Sequence, residues 1–226
     1  MKVAPVLRAM ADPGRYAPIL VHTGQHYDAA LSDAFFQELD IPAPDVHLGV
    51  GSGSHARQTA RVLEGFEPVV ESHRPDLVLV AGDVNSTVAC ALASVKLGVP
   101  VGHIEAGLRS EDRTMPEEIN RVLTDAISDL LFITSLDART NLVREGVDPA
   151  TIHFVGNSMI DTLRRFEDKA RDRETLREHD LSPRGYALVT LHRPSNVDAA
   201  EDLGRVLFLL HELADRMPVA FPMHPR

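Results

Sequence analysis

The 226-residue chain is 44% hydrophobic and 25% charged, the balance of a soluble globular protein with enough apolar material for a core. Its 23 Lys and Arg against 33 Asp and Glu leave a net charge of −10, which excludes a general binder of nucleic acid or anionic membranes but not of a small anion held by local cations and helix N-termini. The single cysteine, Cys90, permits no internal disulfide, and no apolar run approaches the ~18 residues of a membrane span, so a cytoplasmic protein is expected.

In chain order, residues 3–10 read as a helix, followed by a short apolar strand at 19–21 and the loop Gly24-Gln25-His26. A long helix is expected over 56–72, where Thr59, Val62, Leu63, Phe66 and Val69 recur at three- and four-residue spacing. Further strands are expected near 77–81, 99–104, 130–134, 152–155, 187–191 and 219–221, separated by helical patterns. The strands read as continuous apolar runs, which suits a parallel sheet buried on both faces, so the fold class is α/β, doubly wound. Residues 164–184 are dense in alternating charge and read as a solvated helix that connects two domains. The expected division is an N-terminal domain over 1–165, a charged connection over 166–184 and the start of a second domain over 185–226. Both ends read as cut: no strand precedes the first helix, and only two strands and one helix follow the connection.

Open α/β sheets bind ligands beyond the C-terminal ends of their strands, and here those ends concentrate His, Asp, Glu and Arg. Asp83 closes one apolar strand within Gly82-Asp83-Val84-Asn85-Ser86-Thr87, where it could equally belong to the cap of the next helix. Glu105, in His103-Ile104-Glu105-Ala106-Gly107-Leu108-Arg109, has no such structural excuse. Glu117 has one: Thr114 reads as an N-cap with Glu117 three residues on, a capping box, with Pro116 in the first turn and Arg121 four residues further. Three carboxylates around one crevice suit general acid–base chemistry. His192-Arg193 opens the first loop of the second domain and could meet a diphosphate. The pairs His22/His26 and His103/Glu105 have metal-like spacing but no third ligand, so no metal and no cofactor are expected. Cys90, in an apolar helical stretch, reads as a buried small residue.

Six words occur in order: Gly24-Gln25-His26, Leu79-Val80-Ala81-Gly82-Asp83, His103-Ile104-Glu105-Ala106-Gly107-Leu108-Arg109, Pro116-Glu117-Glu118-Ile119-Asn120-Arg121, Val155-Gly156-Asn157 and Leu191-His192-Arg193-Pro194. Together they resemble the non-hydrolysing UDP-N-acetylglucosamine 2-epimerases, over essentially the whole chain. The resemblance implies two Rossmann-like domains in the GT-B arrangement, the N-terminal one lacking its first strand and the second partly present. It implies reversible epimerisation at C2 of UDP-N-acetylglucosamine by elimination and re-addition of UDP, in a homodimer when full length. It makes Asp83, Glu105 and Glu117 the catalytic carboxylates and His192 a catalytic contact to the diphosphate. Lys2, Arg121 and Arg193 become substrate-binding groups, and Gln25, Arg57 and Gln58 fall where some members hold a second, activating UDP-sugar. Ser195 stands where the family has Glu. The rival readings are a hydrolysing epimerase of the same fold and an inactive nucleotide-sugar-binding fragment.

Overall fold

The computed structural model describes residues 1–11, 14–24, 36–191 and 197–223. The chain divides into two compact units, Met1–Phe166 and Glu167–Arg226.

In the first unit, helix α1 (Ala4–Met10) leads to strand β1 (Val21–His22). That strand pairs in parallel with β2 (Val46–His47), Val21 opposite Val46. The sequence reading has no strand at β2. A two-residue strand after Pro42 and Pro44 carries no periodicity of its own, and it forms only because β1 offers it an edge. Helix α2 (His55–His73) begins where the Ser54 hydroxyl accepts the Arg57 N–H and ends at Arg74, whose φ of 46° turns the chain out of the helix. Gln58, Val62, Phe66 and Val70 form its buried stripe at four-residue spacing.

The main sheet is parallel throughout, in the order β3 (Val78–Ala81), β4 (Val101–Ala106), β5 (Leu130–Ile133) and β6 (Ile152–Phe154). Helices α3 (Asn85–Lys96), α4 (Pro116–Ile127) and α5 (Leu136–Arg144) make the crossovers, and α3 packs between α2 and α4. Small side chains let α3 pack on several sides at once: Ala89 and Ala91 are wholly buried beside Cys90 and Ala93. Burial pushes the Cys90 thiol up to about 12, as befits a packing group. One core joins α2, α3, β3 and β4; a second lies under α5, where Leu131, Ile133, Ala138 and Leu142 are fully buried.

Two local expectations need correction. Glu105 lies inside β4, not after it: the ladder to β5 slips between Ile104 and Ala106, so Glu105 is the extra residue of a bulge, with a φ of 72°. Thr114 is not the N-cap of α4. Met115 holds that position without a side-chain cap, and Thr114 bonds Asp112 instead. The capping box between Thr114 and Glu117 therefore does not form, because Asp112 captures the Thr114 hydroxyl at 2.6 Å.

Helix α6 (Ser158–Arg171) runs from the first unit into the second. The second unit continues with α7 (Thr175–Glu178), β7 (Ala187–Leu188), α8 (Ala200–Ala214) and β8 (Val219–Ala220). β7 and β8 pair in parallel. Among the described residues all three sheets are parallel, as the apolar runs predict.

Candidate active site

The C-terminal ends of β3 and β4 lie side by side, since Ala81 pairs with Ile104 and the Gly82 N–H donates to the Ile104 carbonyl at 3.0 Å. Asp83 and Glu105, far apart in sequence, therefore leave the sheet from neighbouring strands. Each meets its own cation. The Arg121 guanidinium reaches Asp83 Oδ2 from Nε at 3.1 Å and from Nη2 at 2.8 Å. The Lys2 ammonium pairs with Glu105 Oε2. Both pairs are partly open to solvent: the side chains of Asp83 and Lys2 are 27% and 31% exposed. Gly82 has a φ of 76°, a conformation that favours glycine in the turn before Asp83, and a Cβ there would stand 2.9 Å from Lys2 Nζ.

Arg121 is itself held from behind. Its Nη1 donates to Glu118 Oε2 at 2.6 Å, and Glu118 accepts the Ser110 and Glu111 backbone N–H groups at 2.9 and 3.0 Å. Desolvation works to raise the Glu118 carboxyl. The two backbone donors, Ser110 and Arg121 outweigh it, and the group is held below the ordinary glutamate range. Glu118, absent from the sequence-based site, is thus the carboxylate of the Glu117-Glu118 pair that organises the loop. Its position at helical spacing from Arg121 was the available signal. Glu117 is half-buried in the first turn of α4 and shows no ion pair or hydrogen bond among the described residues.

A second set of polar groups lies beneath. The Asn120 amide donates to the Asp83 carbonyl at 2.9 Å and to Asn85 Oδ1 at 3.3 Å, and Asn85 donates to Gln58 Oε1 at 2.7 Å. Gln58 donates in turn to the Gly51 carbonyl at 3.2 Å. Gln58 is buried with its amide committed at both ends, where it supports the loops. Arg57, one residue earlier, is exposed. Deeper still, His103 is fully buried, with Nδ1 2.6 Å from Asp125 Oδ1 and Nε2 2.8 Å from the Gly82 carbonyl. Both ring nitrogens are occupied, which removes His103 from any metal set. Gln25, His192 and Arg193 lie outside the described residues. Among the described residues no group of three His, Cys, Asp or Glu could hold a metal ion.

The arrangement offers two partly exposed carboxylates at adjacent strand ends, each paired with a cation, groups able to exchange a proton with a small polar molecule. The profile of the UDP-N-acetylglucosamine 2-epimerase family matches residues 8–226. The chain is 44% identical over 230 residues to a UDP-N-acetylglucosamine 2-epimerase homolog of Methanococcus maripaludis, covering 100% of this chain and 62% of that protein. It is 43% identical over 229 residues to the UDP-2,3-diacetamido-2,3-dideoxy-D-glucuronate 2-epimerase of Pseudomonas aeruginosa, covering 100% and 64%. The crystal structure of the Methanocaldococcus jannaschii UDP-GlcNAc 2-epimerase, in complex with UDP-GlcNAc and UDP, superposes with a TM-score of 0.91 at 40% identity, over 100% of this chain and 63% of that one. The chain thus spans a little under two thirds of the length of these relatives. With the strand-end carboxylates in place and the profile running from residue 8 to residue 226, the chain belongs to the UDP-N-acetylglucosamine 2-epimerase family.

Proposed function

We propose that the protein of which this chain forms at least a part inverts C2 of a UDP-linked 2-acetamido sugar, UDP-N-acetylglucosamine to UDP-N-acetylmannosamine, reversibly. The observation that carries the reading is the pair Asp83–Arg121 and Glu105–Lys2 at the ends of two adjacent parallel strands. The C2 proton is not next to a carbonyl, so direct removal is difficult. Elimination solves this: a base takes the C2 proton as the C1–O bond to UDP breaks, leaving a C1=C2 glycal. Re-addition of UDP at C1, with a proton delivered to the opposite face of C2, gives the epimer. Such a scheme needs two proton-transfer groups and cations for the departing diphosphate. Asp83 and Glu105 are assigned to the proton transfers, and the resemblance adds Glu117. Lys2 and Arg121 are assigned to the charge of the departing oxygens, and the resemblance adds His192 and Arg193 to the diphosphate.

The reaction run in deuterium oxide tests this. Deuterium should enter C2 of both epimers, and UDP should be the transient product of the forward step. Retention of protium at C2 would exclude the elimination. Release of free N-acetylmannosamine would favour the hydrolysing alternative. A second substrate reading rests on the 43% identity to the diacetamido-glucuronate epimerase: the same C2 chemistry would act on a sugar bearing a C3 acetamido group and a C6 carboxylate. Parallel assays with both UDP-sugars separate the two.

A further inference from the structure

The buried groups beneath the site form one ionic network, and their connections are uneven in an informative way. Asp125, on the buried face of α4, receives three donors: His103 Nδ1 at 2.6 Å, the Gly107 N–H at 3.0 Å and Arg109 Nη1 at 2.8 Å. All three come from the exit of β4, and they bracket Glu105 on both sides. Arg109 is fixed from its far end by a bidentate pair with Glu145, at 2.8 and 2.6 Å. Burial opposes the charge of this guanidinium, but Glu145 and Asp125 outweigh it and raise its affinity for the proton. The His103 ring also reaches the other strand: its Nε2 lies 2.8 Å from the carbonyl oxygen of Gly82, the residue before Asp83.

Stability alone gives little reason for this arrangement. A buried ionic network is often no more stable than apolar side chains of the same volume, and the adjacent core is built from leucine, isoleucine and alanine. What the network does provide is position. Glu105 is a non-glycine residue at a φ of 72° in a bulge, a conformation that costs on the order of 1–3 kcal/mol and persists only where its surroundings over-determine it. Gly107, just beyond, has no room for a side chain: a Cβ would stand 2.7 Å from the Ala138 carbonyl oxygen. The bulge is thus pinned at 103, 107 and 109, and the same imidazole ties it to the turn that carries Asp83.

We propose that Asp125 and His103 are positioning residues for the proton-transfer groups: through Arg109 and Gly107 they hold Glu105, and through the Gly82 carbonyl they set its spacing from Asp83. Neither touches substrate. The inference rests on the epimerase reading for its catalytic consequence, but its structural consequence stands apart from that reading. The test uses the native polypeptide with Asp125→Asn, which keeps the volume but turns an amide N–H towards donors. With whichever UDP-sugar the wild type converts, kcat should fall about 30- to 100-fold while KM stays within about threefold, the scale of losing an orienting partner behind a reactive group. A crystal structure of the variant should show the Glu105 carboxylate displaced from Lys2. A kcat per folded molecule within about twofold of wild type, or an unmoved Glu105, would overturn the proposal even if the melting temperature fell. If the wild type converts neither UDP-sugar, the epimerase reading fails and the position of Glu105 in the variant decides the inference by itself. Should Asp125→Asn fail to fold, His103→Gln, which keeps one of the two polar contacts, carries the same two readouts.

Discussion

Helices α2 and α8 carry the same kind of message in sequence and meet different fates. In α2, Gln58, Val62, Phe66 and Val70 line one face and all are buried. In α8, Leu203, Val206, Leu210 and Leu213 line one face at three- and four-residue spacing, yet each is only half-buried. Leu207, Phe208 and Leu209 are 46%, 64% and 65% exposed. No described residue of Glu167–Arg226 is buried at all. The difference lies in what each stripe finds opposite it. α2 packs against α3, whose own other faces are covered by sheet and helix. α8 meets a sheet of two strands with two residues each. Apolar periodicity selects the face that turns inward, and the number of layers sets how far inward it goes.

That contrast can be broken at several points. The largest effect is expected in the core of the first unit. Leu131→Ala or Leu142→Ala, both at wholly buried positions, should cost about 2–5 kcal/mol of stability. Urea denaturation with a change below about 1 kcal/mol would show that this core is softer than its burial implies. Next come the carboxylates at the strand ends. Asp83→Asn and Glu105→Gln should each lower turnover by about 10²-fold or more with unchanged far-ultraviolet circular dichroism. Wild-type turnover in both would remove them from the mechanism.

Glu118 comes third, because its role spans stability and site. Glu118→Gln leaves Arg121 without one of its two anions and should cost about 1–3 kcal/mol, the scale of disturbing a buried satisfied group. Its sign with pH is fixed: the folded state holds this carboxyl below its ordinary value of 4.5. Its contribution is therefore complete above that pH and is lost as the pH falls through the lowered folded value. Acid titration of wild type and variant should give curves that converge at low pH; parallel curves would mean that Glu118 is not coupled to folding. The smallest effect belongs to the second unit. Leu209→Ala should change stability by no more than about 0.5 kcal/mol. Amides of Ala200–Ala214 should exchange with deuterium faster than those of Asn85–Lys96, and the reverse order would show that α8 is better covered than its exposure indicates.

The α/β class and the parallel sheets were legible in the sequence, because strands buried on both faces need continuous apolar runs and helices need a 3.6-residue stripe. The six motif words led to the family, which the profile match bears out. Strand β2 was not legible, since a pairing of two residues is decided by the neighbour that offers an edge. Nor was the bulge at Glu105, because the register of β4 against β5 is a property of both strands. Neighbouring residues on α4 show the same limit: spacing drew Glu117 into a capping box with Thr114, while Asp112 took Thr114 and the buried carboxylate proved to be Glu118. Asp125 gave no sign at all in one dimension. A carboxylate on the inner face of a helix looks like an error of patterning until His103, Gly107 and Arg109 are brought to it. Local sequence sets which residues are chemically capable. Long-range contacts, each weak in isolation and made only once the chain is folded, decide which of them are fixed in place.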